Sequence, residues 1–92
     1  MIERTVTVVP EDGLHARPAS KFVETVNQYD SEIMVSKAGG DKDPVNAKSI
    51  LAVTGLGVKS GEPIVISAEG DDEAEAMDAL ETVITTPETD EE

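Results

Sequence analysis

Residue-by-residue alternation of apolar and polar side chains constrains this fold more than any other feature. From Ile2 to Val9, Ile2, Val6 and Val8 point to one side while Glu3, Thr5 and Thr7 point to the other. That is the pattern of a strand with a single buried face. It returns in Ser31–Lys37, with Ile33 and Val35 on one side, and in Glu62–Ala68, with Ile64 and Ile66. Strands that each bury one face must join a sheet whose apolar side is covered by something else. The cover is encoded between them. Ala19, Phe22, Val23 and Val26 fall at i, i+3, i+4 and i+7, which predicts an amphipathic helix closing near Asn27 or Gln28. Pro18 belongs in its first turn, where a missing N–H is harmless.

The remaining elements are shorter or later. Pro10–Gly13 is a turn cluster, and Ala38–Pro44, with Gly39-Gly40 and alternating charges, is a loop. A brief strand is expected around Val45 and Asn46. Ser49 reads as the N-cap of a short helix, Ile50–Thr54, stopped by Gly55. A last helix is predicted from Asp71 to Ile84, with Met77, Leu80 and Ile84 as its apolar stripe and Asp71, Asp72 and Glu73 in its first turn, favoured by the helix dipole. The order β-α-β-β-α-β-α predicts an α+β open-faced two-layer sandwich, a four-stranded antiparallel sheet covered on one face by three helices. One domain is expected over residues 1–85, followed by an acidic tail, 86–92, without fixed structure.

Composition narrows the function. Phe22 and Tyr29 are the only aromatics, so the core is aliphatic and no base-stacking surface is available. Twenty acidic residues against seven basic ones give a net charge of −13. That balance argues against nucleic acid or an anionic membrane as partner. The acids run along the whole chain as well as massing near its end. This favours adaptation to concentrated salt, where the Debye length shrinks to about 3 Å at 1 M, over service to one basic partner. Cysteine is absent, which removes disulfides and thiolate chemistry. No signal segment or membrane-length apolar run is visible, so a cytoplasmic location and no membrane insertion are expected.

One short stretch carries chemistry: Gly13-Leu14-His15-Ala16-Arg17-Pro18-Ala19-Ser20. Gly13 permits a sharp turn into the helix. His15, the only histidine, would fall just before that helix, where the free N–H groups of Ala16 and Arg17 and the dipole make an anion site. Arg17 adds a permanent cation whose fork suits phosphate oxygens. The same field disfavours an imidazolium, so His15 is expected to titrate below a free histidine and to present a neutral nucleophile. A lone histidine is ordinarily a surface or capping side chain; its place before Arg17 and Pro18 is what moves the balance. With no paired carboxylate, the set does not suit an independent hydrolase.

Gly13-Leu14-His15-Ala16-Arg17-Pro18-Ala19 resembles the active-site signature of the histidine-containing phosphocarrier (HPr) family of the phosphoenolpyruvate-dependent sugar phosphotransferase system. The likeness extends to Lys48-Ser49-Ile50-Leu51, Gly55-Leu56-Gly57 and Ile64-Val65-Ile66-Ser67-Ala68-Glu69-Gly70. It implies that His15 takes a phosphoryl group on Nδ1 from enzyme I and gives it to an enzyme IIA component, with Arg17 pairing the phosphoryl group. It implies no metal and no bound cofactor in the carrier itself, which is expected to act as a monomer. It also makes Ile50 and Leu51 an apolar docking patch, with Val53 the weaker candidate, and Lys21 and Lys48 its basic rim. Ser49 matches a serine that a dedicated kinase phosphorylates in some bacterial members. Two departures stand out: Glu24 sits where bacterial relatives often carry Lys, and the Gly39–Pro44 loop is longer, its Asp41 and Asp43 reading as solvated. Carriers serving dihydroxyacetone phosphorylation or a regulatory phosphorelay, or a non-catalytic regulatory module, are the competing readings.

Overall fold

A computed structural model describes residues 1–11, 13–14, 16–39 and 43–86. The elements follow the expected order: β1 (Ile2–Thr7), α1 (Ala16–Val26), β2 (Glu32–Lys37), β3 (Val45–Asn46), α2 (Ile50–Thr54), β4 (Pro63–Glu69) and α3 (Glu73–Thr85). The four strands form one antiparallel sheet in the order β1-β4-β2-β3. Last in sequence, β4 therefore pairs with both β1 and β2 and locks the sheet across its centre. Val6 stands opposite Ile64, and Ile66 opposite Val35. This register puts Val6, Ile33, Val35, Ile64, Ile66 and Ala68 on one buried face. Against it pack Phe22 and Val26 of α1, Val53 of α2, and Met77, Leu80 and Ile84 of α3, all fully buried. The opposite face, with Thr5, Met34, Val65 and Ser67, is open.

Some boundaries moved for identifiable reasons. β1 ends at Thr7 rather than Val9, because the chain turns at Pro10; Val8 still donates to Glu62 O and accepts from Gly61 N (2.9 and 2.7 Å). β4 begins and ends one residue later than expected, β2 begins at Glu32, and α1 ends at Val26. α2 ends at Thr54 with Gly55 as its C-cap, as the sequence implied, but without a left-handed residue there. Gly55 is right-handed (φ −66°) and still donates to Leu51 O at 2.9 Å. The helix instead tightens through Leu56 N→Val53 O and Gly57 N→Thr54 O, both 3.2 Å, and leaves at Gly57, which takes the left-handed φ of 69°.

α3 starts at Glu73, so Asp71 and Asp72 lie before its first turn. Asp72 is the N-cap residue, yet its carboxylate turns away from the helix. It accepts from the backbone N–H groups of Asp30 and Ser31 (2.8 and 2.9 Å) and from the buried Ser31 hydroxyl. These bonds, the Ser31 hydroxyl first, hold the Asp72 carboxyl below its usual range. Glu73 reaches back to Gly70 N at 3.1 Å, and that bond lowers its carboxyl too. The tail beyond Thr86 lies outside the described residues.

Candidate functional site

The approach to the site is fixed by main-chain bonds. Val9 N donates to Ile84 O at the end of α3 (2.9 Å), Gly13 N to Pro10 O (2.9 Å) and Leu14 N to Val58 O (3.0 Å). The Leu14 side chain is fully buried. Gly13 is left-handed (φ 69°), and a Cβ built there would come within 2.5 Å of Val58 O. Three residues later α1 begins, at Ala16. Its first turn carries no acidic residue. Pro18 and Ala19 are buried and seat the turn on the core, whereas Arg17, Ser20 and Lys21 are exposed. His15 lies outside the described residues, as do the ring position and lowered titration expected of it. Asp41 does too; Asp43 is exposed.

α2 packs beside α1. The Ser49 hydroxyl accepts from Ala52 N at 3.3 Å, the N-cap that the sequence predicted. Along this single-turn helix burial divides sharply: Val53 is fully buried, Ile50 is 39% and Leu51 82% exposed. Lys48 is exposed just before it. Leu51 and Ile50 are thus surface apolar groups on the element that packs against α1. Sequence alone left both core and docking open for them; only burial separates Val53 from its neighbours.

Charge shows a feature that sequence reading passed over. The acids do not run evenly: none falls in residues 13–23 or 44–61, while four of the seven basic residues do, Arg17, Lys21, Lys48 and Lys59. These two stretches carry most of α1, residues 16–23, and all of α2. Among the described residues, Arg4 and Lys37 are committed elsewhere: Arg4 to Asp78 and Glu81 (3.1 and 2.7 Å), Lys37 to Glu62 (3.5 Å). On a chain of net charge −13, the site edge is therefore locally basic. The signal was legible as two gaps in the acid spacing.

An open-faced sandwich with an acid-free helix N-terminus, and an exposed apolar turn on a helix packed against that one, is the architecture of a small anion-handling carrier module. A family model described as the PTS HPr component phosphorylation site matches residues 2–86. The phosphocarrier protein HPr of Haloferax volcanii is 61% identical over 87 residues, covering 95% of this chain and 97% of that one. The HPr-like protein Crh of Halalkalibacterium halodurans is 46% identical over 80 residues, 87% of this chain and 92% of that one. Among solved structures, an HPr from Thermoanaerobacter tengcongensis superposes with a TM-score of 0.84 at 46% identity, covering 91% of each chain. The HPr of Bacillus anthracis gives 0.83 at 37% identity, over 90% of this chain and 95% of that one. The chain belongs to the HPr family, and it is a phosphocarrier of the phosphotransferase system.

Proposed function

We propose that His15 is the residue that carries the phosphoryl group, taken from enzyme I and passed to an enzyme IIA component in sugar uptake. One observation supports this most: α1 begins at the residue after His15, with no acid in its first turn and Arg17 exposed at its second position. In the acceptance step a new P–N bond forms to His15 Nδ1 as the P–N bond to the donor histidine breaks, and donation to enzyme IIA reverses the roles. The N–H groups of Ala16 and Arg17 and the Arg17 guanidinium stabilise the added negative charge. That stabilisation is moderate, since a carrier must release its cargo.

Ile50 and Leu51 form the docking patch in this reading, with Lys21 and Lys48 at its rim. Ser49 stands as a regulatory phosphorylation site at the start of α2, where added phosphate meets a favourable dipole. The unit is residues 1–85, cytoplasmic and monomeric, and its acidity suits a salt-rich setting, as in the Haloferax relative. Among the described residues, no helix is long and apolar enough to cross a membrane. The test is to mix the protein with enzyme I of its host and labelled phosphoenolpyruvate. Acid-labile label that is absent in His15→Ala and chaseable to an enzyme IIA is expected. Normal labelling of His15→Ala would refute the assignment.

A further inference from the structure

We propose that Gly13 is a positioning residue for phosphoryl transfer, because the bare backbone of Gly13-Leu14 seats directly on the Val58–Lys59 main chain and so fixes the chain up to the residue before His15. The inference rests on the reading of His15 as the phosphoryl acceptor. Two demands meet at Gly13. Its φ of +69° is one that side-chain-bearing residues rarely adopt. Independently, a Cβ there would meet Val58 O at 2.5 Å, Lys59 Cα at 2.8 Å and Lys59 C at 3.1 Å, all main-chain atoms that have no rotamer by which to yield. The other left-handed glycines on loops differ: Gly39, Gly57 and Gly61 have nothing within 4 Å of the same position. Gly70 (φ +156°) is crowded too, by Ser31 Oγ at 2.7 Å, but it lies between β4 and α3; on the approach to α1 close contact and a left-handed φ meet at Gly13.

The surface under Gly13 is itself immobilised. Leu14 N donates to Val58 O at 3.0 Å, Gly61 N to Val8 O at 2.7 Å, and Glu62 N to Lys59 O at 3.1 Å. Ser60 Oγ donates to Val9 O at 3.3 Å, and Lys59 N donates to Glu62 Oε1 at 2.8 Å. Leu14 and Val58 are both fully buried. The turn Val58–Glu62 therefore clamps both the exit of β1 and the entrance to α1. A side chain at residue 13 must lift the loop off this seat, and a misplacement of ~1 Å at a reacting group costs ~10²-fold in rate.

The test compares Gly13→Ala, Gly13→Asn and Gly39→Ala in single-turnover transfer from phosphorylated enzyme I, each first checked for cooperative unfolding well above assay temperature. Asn tolerates left-handed backbone but still brings a Cβ. Both Gly13 variants are expected to be slower by ~10 to ~10²-fold with KM little changed, and their phosphohistidine to have an altered lifetime. Gly39→Ala, equally left-handed but unobstructed, is expected to transfer at the parent rate. Recovery in Gly13→Asn alone would reduce the effect to φ and overturn the proposal. So would parent rates in both Gly13 variants, or an equal loss in Gly39→Ala. Should the Gly13 variants not fold, the parent protein still decides: the Leu14 amide must resist hydrogen exchange as well as β4 amides do, before and after phosphorylation, and rapid exchange overturns the proposal. Failure of the underlying reading looks different, since His15→Ala would then take up label normally.

Discussion

Leu51 and Val53, two residues apart on α2, are expected to fail in opposite ways. Leu51 is 82% exposed in the free protein, and Val53 is fully buried. Leu51→Ala removes three side-chain carbons that now face water. If they become buried against a partner, the loss is about 0.8 kcal/mol for each, or about 2.4 kcal/mol at full burial. At 1.4 kcal/mol for each factor of ten, that is a ceiling of ~50-fold in affinity. Stability should move by no more than about 0.5 kcal/mol, as for ordinary surface changes. Val53→Ala removes two buried carbons. Transfer accounts for about 1.6 kcal/mol, and the cavity raises the cost to about 2–3 kcal/mol. For a domain of this size each kcal/mol lowers Tm by roughly 4–8 °C. Thermal unfolding followed by circular dichroism, paired with KM for enzyme I in the transfer assay, separates the two. Leu51→Ala should raise KM many-fold at parent Tm, and Val53→Ala should lower Tm by at least ~8 °C with KM held. A parent-like KM in Leu51→Ala would remove α2 from the docking surface. A large fall in its Tm would mean that the side chain is not exposed.

Arg17→Ala should slow transfer without lowering Tm, because the side chain is exposed; an unchanged single-turnover rate would take Arg17 out of the site. Tm should rise between 0.1 M and molar KCl, and Glu69→Lys should flatten that rise, since Glu69 lies directly opposite Glu32 across β4 and β2. Turning that like-charge pair into an opposite one is expected to add a few tenths to about 1 kcal/mol at low salt, and a flat Tm in the parent would refute the salt argument. Asp72, whose carboxyl is lowered in the folded state, stabilises the fold above its unfolded pKa of about 3.9, and that contribution is lost as pH falls further through the folded value. In urea titrations at 1 M KCl, the parent should therefore lose its advantage over Asp72→Asn below about pH 4; an advantage independent of pH would rule the linkage out. Glu24→Lys extends the exposed Arg17–Lys21 stripe by one turn of α1 and should lower KM for a bacterial enzyme I at 0.1 M salt, with the gain vanishing near 1 M; no gain at low salt would mean that enzyme I does not meet this face.

The element order and nearly all of the core were legible because each strand alternates and each helix keeps its stripe. What escaped was long-range and polar. Arg4 interrupts the inward series Ile2, Val6, Val8, and its reason is 74 and 77 residues away, at Asp78 and Glu81 of α3. Asp72 was placed in the first turn of α3 by proximity, but a carboxylate there has two sets of donors to choose from. It takes those of Asp30 and Ser31, 42 and 41 residues distant. Gly55 does cap α2, as the sequence implies, but the left-handed residue of that turn is Gly57, two residues on. At the site, the motif from Gly13 to Ala19 carried the family and the start of α1. The seat of Gly13 on Val58 was invisible, since a main-chain contact leaves no mark in the identity of the residue at position 58.

Net charge taken alone would exclude this protein from handling anions, and the distribution of charge explains why it does not. In water, two unit charges about 7 Å apart interact by about 0.6 kcal/mol before screening, and a phosphoryl group brings between one and two negative charges. A few carboxylates spread at random around α1 would thus oppose phosphoryl binding by an amount comparable with what one guanidinium supplies. Excluding acids from residues 13–23 and 44–61 avoids this, and it leaves Arg17, Lys21 and Lys48 exposed on the same two segments. Acids do flank these stretches, Glu62 among them, whose carboxylate accepts from Lys59 N at 2.8 Å, and at 1 M salt the Debye length of about 3 Å screens the exposed ones from the site. Acid loading and anion transfer are therefore compatible only when the two are separated along the chain. The same separation makes the site edge more dependent on its apolar contacts as salt rises, because screening weakens Lys21 and Lys48 toward a partner while leaving the burial of Ile50 and Leu51 intact.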